Sequence, residues 1–249
     1  MHGFLRVVGV LLITATFASA CSSSGSARKT AEETKTSKSQ KTKTAAKKPE
    51  QIKSFQTSLA QRPSEINIPV RGKITRTGEV YLLRGLANVF SRGMDTLGAK
   101  MVRSGLDARV YNHAAWRELA DNIILRNKKK QVSYPVVIMG HSLGANASVL
   151  MANYLGANGV KVSYVVSFDP TQTGIVGKNV NRVVNFYLPN DSNSNVVRRG
   201  RGFKGAVKNV NSRGVRGLKH TTIEKDAKYH AEVIKRTLTY TKKRRKKRS

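Results

Sequence analysis

One stretch, residues 135–151, constrains the fold more than any other part of the sequence. It reads PVVIMGHSLGANASVLM: a short apolar run, then Gly-His-Ser-Leu-Gly, then an alanine-rich segment that favours a helix. This order predicts a buried strand, a sharp turn and a helix, with Ser142 at the apex of the turn. The glycines on either side of the serine indicate that side chains there would collide with the neighbouring strand and helix.

Ser142 is the predicted nucleophile. A serine hydroxyl reacts poorly unless it is held clear of the backbone, next to a base and near hydrogen-bond donors for a developing oxyanion. A turn between a strand and a helix provides that position, and the helix that begins after the serine directs its positive end towards it. The alternative is an ordinary glycine-rich turn that carries no chemistry.

Apolar strand patterns alternate with helix patterns along the rest of the chain from about residue 63. Such alternation predicts an α/β fold with a mostly parallel central sheet of about six strands and helices on both faces. Ser91 is a predicted N-cap, and Thr221 to Glu224 form a capping-box pattern that opens the last helix. Strands are predicted near residues 80–83, 108–111, 136–139, 162–168, 183–188 and 206–210, and helices near 90–103, 114–125, 145–152 and 221–240.

A serine nucleophile needs a histidine base, and the chain has five histidines. The first lies in the leader, and His141 lies inside the turn, where the backbone should direct its ring away from the serine. His230 lies within the last helix and is assigned to the face of that helix. His220 follows the last strand and precedes the last helix, so it is the predicted base. His113, which follows a strand and therefore lies at the edge where ligands bind, is the alternative.

The base in turn needs a carboxylate that orients it. Asp169 and Asp191 each follow a predicted strand, and either can supply this carboxylate, although Asp-Pro and Asn-Asp also form ordinary turns. The oxyanion hole is predicted from the backbone N–H groups of Leu143, which follows the nucleophile, and Leu86, in the turn after the first strand.

The GHSLGA turn, the chain order serine, aspartate, histidine and the strand–helix alternation resemble the α/β-hydrolase superfamily, in its serine esterase and lipase-like branch. The resemblance covers residues 79–240. A strand that ends in Phe-Asp-Pro is similar to the lipases whose catalytic aspartate occupies that place, so the resemblance favours Asp169 over Asp191. It implies hydrolysis of a carboxylester, lipid or thioester through an acyl-enzyme, without a metal or an organic cofactor.

The chain also departs from the superfamily pattern. The turn after the first strand reads RGL where many members have HG, so the predicted oxyanion donor at Leu86 lies in a turn that departs from the family sequence. The first two strands of the usual sheet have no counterpart, so the resemblance implies a minimal version of the fold. No insertion has the pattern of a dedicated lid.

The first 21 residues carry the pattern of an export signal. Arg6 precedes an apolar run over residues 7–17, which is too short for a comfortable membrane span, and small residues lead directly to Cys21. Cys21, the only cysteine, resembles the acylated first residue of bacterial lipoproteins, although alanine stands at position 18 where leucine is favoured. Lipid attachment at Cys21 predicts an envelope-anchored protein, and plain cleavage before it predicts a periplasmic or secreted one.

The remaining segments are strongly basic. Residues 21–62 are mostly Ser, Thr, Lys, Ala and Gln, which predicts a disordered tether between the signal peptide (1–20) and a folded domain (63–241). Seven consecutive cations follow in a tail at residues 242–249, and the whole chain has a formal net charge of +32. This charge predicts an anionic membrane or cell-wall surface as a partner.

Two other interpretations compete with a serine hydrolase. The segment RRGRGFKG at residues 198–205 resembles RNA-binding Arg-Gly sequences, but the export signal favours an envelope surface over nucleic acid. The second is a non-catalytic, basic envelope-binding protein on a hydrolase-like scaffold. The joint presence of Ser142, Asp169 and His220 favours the hydrolase, because a binding module needs none of the three.

Overall fold

A parallel sheet forms the centre of the protein. The structure, a computed structural model, describes residues 72–86, 91–189 and 195–244. The strands in this part of the chain are β1 (Glu79–Arg84), β2 (Ala108–Asn112), β3 (Val136–His141), β4 (Val162–Phe168), β5 (Gly174–Val176), β6 (Arg182–Tyr187), β7 (Val197–Arg199) and β8 (Ala206–Asn211). Six of them form one sheet in the order β2-β1-β3-β4-β6-β8, and every pairing in it is parallel. The predicted fold class is therefore confirmed.

Four helices cover the two faces of this sheet in the described part of the chain. They are α1 (Gly93–Arg103), α2 (Trp116–Lys128), α3 (Leu143–Ala157) and α4 (Ala227–Tyr240). Successive side chains of a strand point to opposite faces, so β1 contributes to two separate apolar cores. Tyr81 and Leu83 pack with residues of α2 and α3, whereas Val80 and Leu82 pack with residues of α1 and α4. All four β1 side chains are almost fully buried.

The strand order places a topological switch between β1 and β3. The chain leaves β1 for β2 on one side of it and then returns to β3 on the other side. In open parallel sheets, the loops after two such strands separate and leave a crevice at the carboxyl ends, where ligands bind. The turn after β1 and the turn after β3, which contains Ser142, flank this crevice.

Two predicted helix starts were wrong. Helix α1 begins at Gly93, and its N-cap residue is Arg92 rather than Ser91. The Ser91 hydroxyl instead accepts a hydrogen bond from the N–H of Gly85. Helix α4 begins at Ala227, where the Asp226 carboxylate accepts a hydrogen bond from the N–H of Tyr229 at 2.8 Å. The predicted capping box fails because the Glu224 side chain is fully buried instead of folding back over the helix start.

Several segments that the sequence analysis singles out lie wholly or partly outside the described residues. The predicted signal peptide and the whole tether, including Cys21, lie outside the described residues, as does Asp191. Residues 242–244, assigned above to the basic tail, pair with residues 75–77 through an antiparallel bridge between Arg76 and Lys243. Of the helices that the structure describes, none is long and apolar enough to cross a membrane.

Candidate active site

Ser142 occupies a strained turn between β3 and α3. Its backbone has φ 56° and ψ −121°, a conformation that costs a non-glycine residue energy and persists only where the surrounding packing enforces it. A Cβ atom at Gly140 would lie 2.0 Å from the carbonyl oxygen of Gly144, and one at Gly144 would lie 2.2 Å from that of Leu83. The two flanking glycines are therefore required by close backbone approach, as predicted.

The structure brings three of the predicted residues into one hydrogen-bonded row. Nε2 of His220 lies 3.0 Å from the Ser142 hydroxyl oxygen, and Nδ1 of His220 lies 2.7 Å from Oδ2 of Asp169. Asp169 directly follows β4, while His220 precedes the short 3₁₀ turn Ile223–Lys225. Asp169 and His220 lie 27 and 78 positions after Ser142 in the sequence. They meet in space because parallel strands end at the same edge of the sheet.

 The sheet thus bridges the long sequence separation, since β3 and β4 are neighbours and the loop that carries His220 crosses above their carboxyl ends.

Asp169 is held by more than the histidine. Its second oxygen, Oδ1, accepts hydrogen bonds from the backbone N–H of Leu188 at 2.9 Å and from the side-chain amide of Asn195 at 2.8 Å. Asp169 and Asn195 are both buried. The carboxylate therefore has all its near partners fixed before any substrate binds. Asn195 was not anticipated from the sequence, since nothing in its local pattern points to a role.

The hydrogen bond to Asp169 determines which nitrogen of His220 carries the proton. Asp169 accepts a hydrogen bond from His220, so the proton of the neutral ring lies on Nδ1 and Nε2 is free to accept the Ser142 proton. The hydrogen bond to Asp169 raises the pKa of His220 and outweighs burial, which acts in the opposite direction. The His220 side chain is 45% exposed, whereas that of Asp169 is 6% exposed, so the row runs from buried acid to accessible base.

The two predicted oxyanion donors lie on the turns that flank the crevice. Leu143 is the first residue of α3, and N–H groups in the first turn of a helix have no acceptor within the helix. Leu86 follows Gly85, at which a Cβ atom would lie 3.0 Å from the Cβ of Ser142. The turn after β1 therefore packs directly on the serine. His113, the alternative base, instead contacts the carbonyl oxygen of Gly85 through Nδ1 at 3.1 Å.

A buried chain of hydrogen bonds connects this turn to the base. The N–H of Gly85 donates to the Ser91 hydroxyl oxygen at 2.8 Å, and that oxygen lies 2.8 Å from Nδ1 of His141. Nε2 of His141 lies 2.7 Å from the backbone carbonyl oxygen of His220. A carbonyl only accepts, so His141 carries its proton on Nε2 and Ser91 donates to Nδ1. Burial lowers the pKa of His141 to about 4, which keeps the ring neutral at physiological pH.

A second buried histidine holds the same loop. Nε2 of His230 lies 2.7 Å from the carbonyl oxygen of Glu224, and the Lys100 ammonium lies 3.2 Å from Nδ1 of His230. His230 is 1% exposed, so it lies in the interior rather than on an open face of α4. Burial lowers the pKa of His230. Two neutral histidines thus bind backbone carbonyls of the loop that carries the exposed one.

Glu224 is a buried carboxyl group beneath the site, and its Oε1 lies 3.9 Å from Nζ of Lys225. Its side chain is fully buried, and neither of its oxygens has a hydrogen-bond partner in the described part of the chain. Oε2 lies 3.9 Å from Nε2 of His141. Burial raises the pKa of Glu224 to about 7. The sequence pattern hid this position, because Thr-Thr-Ile-Glu before a helix is typical of an exposed cap.

The arrangement has the hydrogen-bond geometry that activates a serine hydroxyl. Among the residues that the structure describes, no group of three or more His, Cys, Asp or Glu side chains is placed to hold a metal ion. The row Ser142, His220 and Asp169 has the geometry to pass one proton between the serine and the imidazole, and the helix start offers N–H donors beside it.

Comparison with known proteins gives the family of the chain. The model of the family described as Lipase (class 3) matches residues 36–177, which include Ser142 and Asp169. No curated protein matches the chain. Solved structures that are similar to the chain include the NocB thioesterase domain from the nocardicin cluster, esterase PE8 and Est1E from Butyrivibrio proteoclasticus.

These structural similarities are distant. The NocB domain is 15% identical, with 66% of this chain and 94% of that domain covered and a TM-score of 0.36. Esterase PE8 is 11% identical over 71% of this chain and 100% of that chain, with a TM-score of 0.40. Est1E is 10% identical over 71% of this chain and 91% of that chain, with a TM-score of 0.36. The family match, in contrast, spans more than half of the sequence, and the chain belongs to the lipase (class 3) family.

Proposed function

We propose that the protein is an exported serine hydrolase that cleaves an ester-type bond through an acyl-enzyme on Ser142. The bond is a carboxylester, including that of a lipid, or a thioester. The observation that carries the proposal is the continuous row from Asp169 through His220 to Ser142, with contacts of 2.7 and 3.0 Å. Membership of a lipase family supports ester hydrolysis independently of this row.

The first half of the reaction forms the acyl-enzyme. Nε2 of His220 takes the hydroxyl proton as the Ser142 oxygen attacks the carbonyl carbon of the substrate, and Asp169 stabilises the resulting imidazolium. The tetrahedral oxyanion accepts hydrogen bonds from the N–H groups of Leu143 and Leu86. One such donor contributes about 10²- to 10³-fold in rate. The intermediate collapses as the Nε2 proton passes to the leaving alcohol or thiol.

The second half restores the enzyme. Water attacks the acyl carbon while Nε2 of His220 accepts its proton, and a second tetrahedral oxyanion forms at the same donors. The Ser142 oxygen then leaves with the proton from Nε2, and the carboxylic acid product departs. The balanced result is one water consumed, one ester bond broken and no change in the state of the protein.

The cellular location belongs to the same proposal. The leader pattern and Cys21 support export and attachment to a bacterial cell envelope, and the net charge of +32 supports contact with an anionic surface there. An envelope anchor would keep the hydrolase near lipid or polymer esters. Metabolic labelling with a radioactive fatty acid, compared between wild type and Cys21→Ser, tests it: label incorporated equally in both, or in neither, contradicts acylation at Cys21.

A fluorophosphonate probe tests the serine chemistry directly. We expect it to label the wild-type protein and the control Ser104→Ala, whose serine binds the carbonyl of Lys100 at the end of α1. Labelling should be lost in Ser142→Ala and in His220→Ala, with circular dichroism showing that both variants are folded. A folded wild type that resists labelling would overturn the proposal and favour the non-catalytic envelope-binding alternative. A panel of p-nitrophenyl esters of increasing chain length would then define the acyl preference of an active protein.

A further inference from the structure

A second concave site lies at the opposite end of the sheet from Ser142. Strands β4, β6 and β8 are parallel, so the turns that precede them meet at the amino edge, whereas Ser142 and Asp169 lie at the carboxyl edge. A cleft of about 580 Å³ lies there, lined by residues 161–163, 178–181, 202, 204 and 205. Ligand-sized sites in proteins typically have volumes of about 300–1,000 Å³.

Each of the three turns contributes one lysine to this cleft, here called the basic cleft. Lys161 precedes β4, Lys178 precedes β6 and Lys204 precedes β8, and no acidic residue is among the residues that line it. The structure records no ion pair between these lysines and any other described residue, whereas Lys208 on β8 has Glu232 within 3.9 Å. Three like charges around one cleft repel one another unless an anion lies between them.

The basic cleft is formed before any ligand binds. The N–H of Val162 donates to the carbonyl of Asn179, and the N–H of Asn181 donates back to Val162, both at 2.9 Å. The N–H of Ala206 donates to the carbonyl of Asn181 at 2.9 Å, and a Cβ atom at Gly205 would lie 2.2 Å from that same oxygen. Because the three turns are tied together, only the lysine side chains would need to be ordered on binding, which limits the entropic cost.

We infer that the basic cleft binds a ligand that carries two or more phosphate groups. Lysine ammonium groups suit phosphate oxygens as mobile point charges, and the side chains of Asn179 and Asn181 at the same cleft add amide donors. Several negative charges at short spacing match three separate cations better than a single carboxylate does. The phosphates belong either to a soluble phosphate chain or to the headgroups of an anionic lipid.

The position of the cleft gives it a role separate from the proposed chemistry. A phosphate ligand held at the amino edge does not contact Ser142, which lies across the length of the strands. A surface held by the basic cleft would therefore leave the carboxyl edge directed away from it and open to substrate. The basic cleft and the serine site share no residue, so ligand binding at one can be measured separately from chemistry at the other.

Calorimetric titration with inorganic tripolyphosphate, at 50 and 300 mM NaCl, tests the inference. The variant Lys161→Gln/Lys178→Gln/Lys204→Gln is compared with Lys128→Gln/Lys129→Gln/Lys130→Gln, which removes the same charge from exposed lysines outside the cleft. We expect the cleft variant to weaken binding by about tenfold or more and the control by about threefold or less, with wild-type affinity falling at the higher salt. Equal weakening in both variants, or no binding to the wild type, would overturn the inference.

A second arm identifies the source of the phosphate. Vesicles of phosphatidylglycerol and phosphatidylcholine are sedimented with each variant and with the wild type. Cleft-dependent sedimentation that tripolyphosphate reverses assigns the site to lipid headgroups, whereas tripolyphosphate binding without it assigns the site to a soluble phosphate chain. Fluorophosphonate labelling of the same samples reports the serine site, so a failure there is distinguished from a failure of the cleft.

Discussion

The two ends of the parallel sheet hold their polar side chains in opposite ways. At the carboxyl end, Asp169 and Ser142 are buried and each has named partners within 3.0 Å. At the amino end, Lys161, Lys178 and Lys204 are exposed around an open cleft without an acidic neighbour in its lining. The same sheet thus supports one site built on hydrogen-bond geometry and one built on accumulated charge.

The two sites should therefore respond differently to substitution. A hydrogen-bonded row depends on the position of each atom, so a single substitution should remove most of its function. Charge in water acts over several ångströms and is shared among several side chains, so a single substitution should matter little.

Replacing the nucleophile should have the largest effect. We expect Ser142→Ala to lower kcat for p-nitrophenyl butyrate by about 10⁴-fold or more, because the variant has no hydroxyl oxygen beside His220 to form the acyl-enzyme. The melting temperature should stay close to that of the wild type, since alanine meets the same backbone strain as serine. Retention of more than about 1% of the wild-type kcat would contradict the assignment.

Replacing the carboxylate of Asp169 with an amide should have the second largest effect on kcat. We expect Asp169→Asn to lower kcat by about 10³-fold, because the histidine loses the partner that fixes its tautomer. The wild-type kcat/KM should fall with decreasing pH at a point above 6.5, since the hydrogen bond to Asp169 raises the pKa of His220. In the variant this fall should move to lower pH, because the charge that favoured the imidazolium is gone. A pH profile that does not move would contradict the orientation role.

Glu224→Gln should change stability rather than chemistry. Burial raises the Glu224 pKa from 4.5 to about 7, so between these values the unfolded chain releases a proton that the folded protein keeps. Folding therefore loses stability from this group as pH rises through that window, and the loss is complete above about pH 7. We expect the free energy of unfolding of the variant, relative to wild type, to rise by about 3 kcal/mol between pH 4.5 and 8.

Variant and wild type must be compared in this test, because the titration of His141 changes the free energy of unfolding with pH in the opposite direction. Its pKa is lowered to about 4, so the folded protein gains stability from it as pH rises from about 4 to 6.5. The two trends oppose each other in the wild-type profile. Urea denaturation of both proteins at pH 4.5, 6 and 8 measures the difference, and a difference that is constant with pH would show that Glu224 titrates normally.

Breaking the buried hydrogen-bond chain should have a smaller effect on activity. We expect Ser91→Ala to lower kcat about tenfold with KM nearly unchanged, since the turn at Gly85 and the ring of His141 each lose a partner. Ser91→Thr, which keeps the hydroxyl, should restore most of the rate. A change confined to KM or to the melting temperature would show that these hydrogen bonds support the fold without positioning His220.

The basic cleft should give the smallest effect on catalysis. We expect Lys161→Gln/Lys178→Gln/Lys204→Gln to leave kcat/KM for a neutral ester within about twofold of wild type, because the cleft lies at the far edge of the sheet and its field is screened by salt. The esterase assay at 150 mM NaCl measures this. A tenfold loss in the folded variant would break the contrast, since it would mean that the two ends of the sheet are coupled.

Much of the site at the carboxyl end could be predicted from sequence because its signals are local. The glycines around Ser142 are required by contacts within one strand–turn–helix unit, and that unit is contiguous in the chain. Asp169 was one of two candidates, and the choice rested on the Phe-Asp-Pro resemblance. His220 was selected by its place after the last strand. The partner Asn195 and the anchoring histidines depend on contacts that no local pattern records.

The strand periodicity, the strained turn at Ser142 and the strong positive charge can be predicted from the sequence alone, because periodicity, steric demand and charge are properties of neighbouring residues. The places where separate segments meet depend instead on tertiary packing. It buried Glu224 instead of letting it cap α4, and it turned His141 towards the carbonyl of His220. It also assembled the basic cleft from three distant turns. Such contacts depend on how parallel strands align their ends, and that alignment is set by the packing of the whole sheet.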